Sequence, residues 1–334
     1  MRKVEVAVVG LALATLCPSF SDAAVTRSRG PDLKTLTTQV LLDRLGFGPG
    51  PIDGHSGLNL VRALKGFQEA NGLDVSGRLD AATTGALAAY AKTPGTIAVT
   101  LSPADVAGPF VGPIPDDPAD QAKLPAMGYS DLMEELSERY HTTKPTLIAL
   151  NGADTPLKAG VTIKVPNVRP AATDYPSALR PDWRAMLTQL SVSSDQPQAA
   201  RIVVDKSDGV LRVYDAQDKL VAQFPATMGS THDPLPIGNW KIQGTSYLPT
   251  FHYNPELFWD AKATDTKETL KPGPNGPVGV VWMDLDKEHY GIHGTATPET
   301  IGRTTSHGCI RLSNWDAARL SLMVKPGTPA VFQE

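Results

Sequence analysis

Residues 290–317 read YGIHGTATPETIGRTTSHGCIRLSNWDA. The stretch opens as a short strand, YGIHG, crosses a Gly/Thr-rich loop and ends at the start of a helix, NWDAARLSLMV. Its Cys309 stands two residues after His307 and shares the stretch with His293. A nucleophile, a metal ligand and an inert buried thiol are the three roles open to such a cysteine. Back along the chain to residue 200, the runs ARIVVD, GVLRVYD, LVAQFPATMG, GNWKIQGT and GVVWMDL follow one another, with KSDG and DAQDK as turns. Short runs of period two separated by turn residues predict strands. The expected fold of residues 200–332 is a mostly-β sandwich or barrel-like domain with one late helix.

A cysteine nucleophile needs a base or an electropositive setting, because a free thiol titrates near ~8.5. It also needs a group to orient the base and donors aimed at the oxyanion that forms on attack. His293, at the end of a predicted strand, and His307 are the candidate bases. Side chains two apart in extended chain stand ~6–7 Å from each other, whereas His293 can approach Cys309 from a neighbouring strand. His293 is therefore the expected base, its other ring nitrogen held by a nearby carbonyl such as that of Gly294. An imidazolium there would let the Cys309 thiolate form at lower pH than in free cysteine. Gly308 leaves the backbone unencumbered, so the N–H groups of Gly308 and Cys309 can converge on an oxyanion. Zinc held by Cys309, His293 and His307 is the chemical rival. No C-x-x-C or H-x-x-H spacing and no interleaved carboxylate accompanies the three, so no metal is expected.

The export context sharpens the question. Residues 1–23, MRKVEVAVVGLALATLCPSFSDA, carry Arg2 and Lys3, an apolar run from Val6 to Leu16, and the small residues Ser21 and Ala23. This is the pattern of a secretory signal peptide, and the run falls short of the ~20 residues that span a bilayer. Leu16 is bulky where a lipoprotein signal places a small residue before its cysteine. The chain has two cysteines, and cleavage near Ala23 removes Cys17 and leaves Cys309. A single thiol in a disulfide-forming compartment is either buried and inert or retained for its reactivity. The formal charge, 31 minus 35 or −4, lacks the basic footprint of a nucleic-acid binder. Neither a nucleic-acid partner nor membrane insertion of the mature chain is expected.

With 334 residues, 41% of them hydrophobic, and 29 prolines, the chain suits several packed domains joined by stiff linkers. Residues 32–91 show Leu60, Ala63, Leu64 and Phe67 at helical spacing, Gly/Pro turns, and Asp80 as a helix cap, which predicts a small three-helix bundle. Residues 92–127 are rich in Pro, Gly and Asp and read as a connector, with TIAVTLS as a candidate strand inside it. Residues 128–167 contain two short helices, marked by Leu132, Leu136 and Tyr140 and by PTLIALNG, and a strand, AGVTIKVP. A second connector, 168–198, holds one short helix near Trp183 to Leu190. The whole is a multidomain α+β chain.

Three resemblances follow from these motifs. LGFGPGPIDG, ALKGFQEANGL and SGRLDAATTGAL are similar to the peptidoglycan-binding domain 1 family over nearly the whole of 32–91. ALN and L-x-A-G-x-x-I-x-V-P resemble a LysM module, an α/β glycan binder, although YSDLMEEL stands where GDTL is usual, and a spacer role is the alternative. HGT, IG, SHGCIR and the DA helix start, with VVD…GVLRVY and TMG…PLPIGNWKI, resemble the catalytic domain of L,D-transpeptidases, the YkuD family, over about 200–332. That resemblance implies Cys309 as nucleophile and His293 as base, with Ser306, His307 and Gly308 shaping the oxyanion region. Arg311, Gly294, Tyr253 and His252 are the expected substrate-side residues, the last two within a long aromatic segment, 246–277, that reads as a lid. The implied reaction is acyl transfer from a peptidoglycan stem tetrapeptide to the side-chain amine of a second stem, releasing D-alanine and making a 3→3 cross-link. The cleaved peptide bond supplies the driving force, so no cofactor is expected. Peptidoglycan stems and glycan strands are the implied partners, a carbapenem the implied acylating inhibitor, and the periplasm the implied location. A wall hydrolase on the same scaffold and a non-catalytic peptidoglycan-binding protein are the alternatives. The Cys309/His293 pair speaks against the second of these.

Overall fold

The computed structural model describes residues 30–334, and the signal-peptide reading, with Cys17, lies outside the described residues. The first module comprises α1 (Leu33–Arg44), α2 (Leu58–Ala70) and α3 (Ala81–Leu87). Asp32 caps α1 through the Thr35 N–H at 2.7 Å, and Asp80 caps α3 through the Thr83 N–H at 2.8 Å. Each cap satisfies a backbone donor that the helix leaves free. Leu41, Leu42, Leu60, Leu64, Phe67 and Leu87 form a core, with Phe47 and Phe67 edge to face at 5.8 Å.

The middle of the chain begins with β1 (Thr96–Thr100) and continues through α4 (Pro118–Gln121), α5 (Leu132–Arg139) and α6 (Lys144–Asn151) to β2 (Thr162–Pro166). Strands β1 and β2 pair antiparallel from Thr96↔Pro166 to Thr100↔Thr162. The β-α-α-β unit thus draws its first strand from the segment read as a connector, and residues 101–131 are an insertion behind that strand. Leu101, Leu136, Leu147, Ile163 and Val165 pack on Leu36, Val40 and Ile52 of the first module. Helix α1 is therefore gripped by two cores, which explains why Leu36 and Leu42 are both fully buried.

Helix α7 (Pro181–Gln189) sends Trp183 and Leu187 into the third and largest core. The C-terminal domain follows: β3 (Arg201–Asp205), β4 (Val210–Tyr214), β5 (Leu220–Pro225), β6 (Thr227–Met228), β7 (Gly238–Tyr247), β8 (Phe251–Tyr253), β9 (Glu268–Leu270), β10 (Val281–Leu285), β11 (Gly291–His293), β12 (Ile310–Arg311), α8 (Asn314–Met323) and β13 (Pro329–Gln333). Nine strands join in the order β5-β4-β3-β13-β7-β10-β11-β12-β6, while β8 and β9 pair separately as a hairpin. The ten-residue β7 bridges two sub-sheets, pairing with β13 along its first half and β10 along its second. Helix α8 packs on β10 and β11 and buries Trp315 completely. A fully buried side chain of that size contributes on the order of 1.5–3 kcal/mol or more of transfer free energy.

Charge locks the modules together. Asp43 of α1 accepts from Arg319 of α8 at 2.8 and 3.1 Å and meets His141 at 3.1 Å. The other His141 nitrogen lies 2.7 Å from the Leu190 carbonyl, and its ring stacks on Trp315 at 5.0 Å. Burial opposes ionisation of Asp43, but Arg319 and His141 outweigh it and hold the carboxyl below its usual range.

Candidate active site

Strands β11 and β12 run parallel, with His293 in register with Arg311, and Cys309 directly precedes β12. His293, Arg311, Cys309, His307, His252 and Tyr253 all line one cavity of about 510 Å³. Every side chain expected at the site except Ser306 lines that cavity; Gly294 and Gly308 contribute backbone beside it. Ser306 works from behind. Its Oγ accepts from the Gly229 N–H at 2.7 Å and donates to the Cys309 carbonyl at 2.6 Å. Gly308 takes φ +94°, and a Cβ there would stand 2.7 Å from the Tyr290 ring, so the approach to the cysteine requires glycine.

His293 is buried, and its Nδ1 lies 2.7 Å from the Gly294 carbonyl. Donation from Nδ1 to that oxygen leaves Nε2 as the basic atom. The ring stacks on Trp282 of β10 at 5.5 Å. Burial, with the nearby Arg311 charge, pushes the His293 imidazole down to about 4. Burial likewise pushes the Cys309 thiol up, against the pull of the Gly291 N–H and of Arg311. The resting thiol points to the His289 carbonyl at 3.7 Å. Both shifts run against the expected thiolate–imidazolium pair. Desolvation disfavours both charged forms, and the nearby Arg311 cation repels an imidazolium. Among the described residues Arg311 has no hydrogen-bonded or ion-paired partner, and it lines the cavity.

The opposite wall is the segment between β7 and β10. His307 reaches across to it. Its Nε2 lies 2.9 Å from Asp260 Oδ1, and its ring contacts Phe258 edge-on at 5.2 Å and Trp259 at 5.8 Å. His252 meets Thr269 at 3.3 Å across the β8–β9 hairpin. Tyr253 donates to Asp265 at 2.8 Å, and burial together with that carboxylate pushes its phenol up to about 12. Both residues are thus bonded within the lid while presenting a face to the cavity.

Other lining residues escape the sequence reading: Trp282, Tyr290 and Asp233 from the domain itself, and Asp116, Pro118 and Gln121 from the insertion after β1. The insertion is bound to the lid by Lys271 Nζ on the Leu124 carbonyl at 2.7 Å and by Met127 N–H on Pro272 at 3.1 Å. Only the aromatic character of YGIHG signalled Tyr290, and nothing local signalled the insertion.

Residues 199–332 match the YkuD family model, an L,D-transpeptidase catalytic domain. Residues 199–332 belong to the YkuD family of L,D-transpeptidases. Residues 29–87 match the family model "Putative peptidoglycan binding domain". The chain is 28% identical over 203 residues to "Putative L,D-transpeptidase YkuD" of Bacillus licheniformis, covering 59% of this chain and 91% of that one. It is 30% identical over 137 residues to "Probable L,D-transpeptidase YbiS" of Escherichia coli K12, covering 39% of this chain and 44% of that one. An L,D-transpeptidase from Mycobacterium smegmatis aligns over 40% of this chain and 58% of its own, at 21% identity and TM-score 0.32. The chain thus carries an L,D-transpeptidase catalytic domain at residues 199–332 behind a peptidoglycan-binding domain at residues 29–87.

Proposed function

We propose that Cys309 is the nucleophile of this transpeptidase and His293 its general base, acting on a stem tetrapeptide and joining it 3→3 to a second stem. The observation that carries the reading is the Nδ1 contact of His293 with Gly294, which presents Nε2 as acceptor in the cavity that Cys309 lines. The thiol Sγ attacks the carbonyl carbon at the L-centre of the diamino acid, and its proton passes to His293 Nε2. The oxyanion is received by the Gly308 and Cys309 N–H groups. Collapse breaks the C–N bond. D-alanine leaves with the proton from His293, and a thioester remains. The acceptor's side-chain amine then attacks the thioester, giving up a proton through His293 as Cys309 is released as a thiol.

A neutral pair suits this sequence. The proton moves during attack, so no charged pair waits in the resting site, and Arg311 stabilises the negative charge as it develops. The unpaired Arg311 also suits a carboxylate of the stem. The lid and the insertion wall exclude water from the thioester, which favours amine over hydrolysis. The binding domain and the N-terminal leader pattern support action on the wall from the periplasm, and the accessible thiol supports acylation by carbapenems.

Incubation with disaccharide-tetrapeptide tests the reading. The expected product by mass spectrometry is a dimer lacking one D-alanine, absent with Cys309→Ser. Tripeptide alone would replace the transferase reading with the hydrolase.

A further inference from the structure

Helix α5 of the middle module carries Glu138, which is buried at 5% exposure although nothing in its own module pairs it except Tyr129. Its carboxyl reaches into the YkuD domain. Asn314 Nδ2, at the first turn of α8, donates to it at 2.9 and 3.2 Å and also to the Pro274 carbonyl at 3.1 Å. The Tyr129 hydroxyl completes the group at 3.0 Å.

The other end of the Asn314 amide decides what this bond does. Its Oδ1 accepts the Val280 N–H at 3.1 Å, which fixes the amide orientation. The same oxygen is wedged between two glycines. A Cβ on Gly279 would lie 2.1 Å from it, and one on Gly294 2.2 Å. Gly294 is the residue whose carbonyl holds His293 Nδ1. Glu138 seats Asn314, Asn314 backs the Gly294 peptide, and that peptide sets the tautomer and orientation of His293.

We propose that Glu138 is a positioning residue for the catalytic histidine, supplied by the module that precedes the catalytic domain. The proposal rests on His293 being the base. The middle module is on this account part of the reaction centre and more than a spacer. Its role calls for a hydrogen-bond acceptor and no charge. Burial, with Glu134 and Glu299 nearby, pushes the Glu138 carboxyl up to about 8, against the bonds from Asn314 and Tyr129. The remaining charge on α5, Arg139, is engaged by Asp105 and Glu135. A neutral glutamic acid accepts from Asn314 at Oε1 and from the Tyr129 hydroxyl at Oε2, and glutamine keeps the acceptor that Asn314 needs.

The test uses the full chain with Glu138→Met, which keeps volume and removes the acceptor, and Glu138→Gln, which restores it. Asn314→Ala removes the next link and serves if methionine at 138 prevents folding. Melting confirms folding, kcat and KM are measured separately on the tetrapeptide donor, and ¹⁵N-histidine NMR reads the His293 tautomer. The expected result for Glu138→Met is a kcat loss of ~10-fold or more with KM little changed, and loss of the single Nδ1–H tautomer. Glu138→Gln keeps kcat within about threefold and keeps the tautomer. A folded Glu138→Met enzyme with wild-type kcat overturns the proposal. So does an equal loss in Glu138→Gln, or a loss with the His293 signal unchanged. His293→Ala is run beside them. Full activity there would instead remove the base assignment on which the proposal stands.

Discussion

The two walls of the catalytic cavity are built differently. One is sheet: His293 and Arg311 sit in register on adjacent parallel strands, Trp282 on the next strand stacks on His293, and Cys309 precedes β12 with its loop tied at Ser306. The other is a hairpin outside the main sheet, on which Leu257 and Trp259 are 58% and 57% exposed and whose bonds are mostly to itself. Bond-making needs groups held within a fraction of an ångström, which packed strand ends supply. Admitting a peptide needs a surface that yields, which a hairpin supplies. On the proposed reading, the wall that performs chemistry and the wall that selects for it are separate in sequence, and His307 reaches from the first to the second, as His232 does by stacking on Trp259.

The sharpest break between the walls is at the sheet. Cys309→Ser is expected to abolish turnover, and His293→Ala to lower kcat by ~10²–10⁴-fold, the common worth of a general base. Equal losses from His252→Ala and Tyr253→Phe would dissolve the distinction, since both belong to the lid. The neutral resting pair adds a pH signature. As the proposed base His293 must be unprotonated to act, and its folded value of about 4 lies below the ~6.5 of free imidazole. The kcat/KM profile is therefore expected to stay flat from neutral pH down to about 5 and to fall only through about 4. An acid limb near 6.5 would show an imidazole outside the influence of burial and Arg311.

Arg311 comes next in size. Its loss is expected to lower kcat/KM by ~10–100-fold, the range for a hydrogen bond to a charged group at ~1.5–3 kcal/mol. Two titrations should then move. Removing the cation from His293 raises the acid limb, and removing it from Cys309 raises the thiol further. In the wild type, iodoacetamide alkylation against pH should show a midpoint above that of free cysteine, and His293→Ala should leave it there. A midpoint below free cysteine that His293→Ala abolishes would restore the charged pair.

The stiff wall was also the more legible one. SHGC and HGT carry their chemistry within a few residues, the Asp80 cap is local, and the strand VWMDL alternates in burial as its pattern does. What the sequence concealed was pairing over distance. Thr96–Thr100 reads as a candidate strand inside a connector, but its partner, which begins at Thr162, is out of local view. Nothing local marks Glu138, Asp43 or Arg319 as buried, because their partners lie 176 and 276 residues away. The shifts at Cys309 and His293 escaped for the same reason, because desolvation depends on what packs around a group and has no local code.

The smallest effect expected is also the one that measures the joint between the walls. His307 and Asp260 form a partly exposed pair at 2.9 Å, and the ring rests on Phe258 and Trp259. A partly exposed ion pair is worth ~0.2–1 kcal/mol, and here it acts on lid closure. Asp260→Asn keeps the shape and removes the charge, so it should raise KM by up to about fivefold and leave kcat within about twofold, because Cys309, His293 and Arg311 lie on the other wall. His307→Ala also removes the aromatic contacts and should exceed Asp260→Asn in KM, with the alkylation midpoint of Cys309 unmoved. Hydrolysis offers the finer reading. A looser lid admits water to the thioester, so the ratio of tripeptide to cross-linked dimer should rise in both variants. If His307→Ala instead lowers kcat as far as His293→Ala and shifts the thiol, His307 belongs to the chemical wall and the separation fails at that residue.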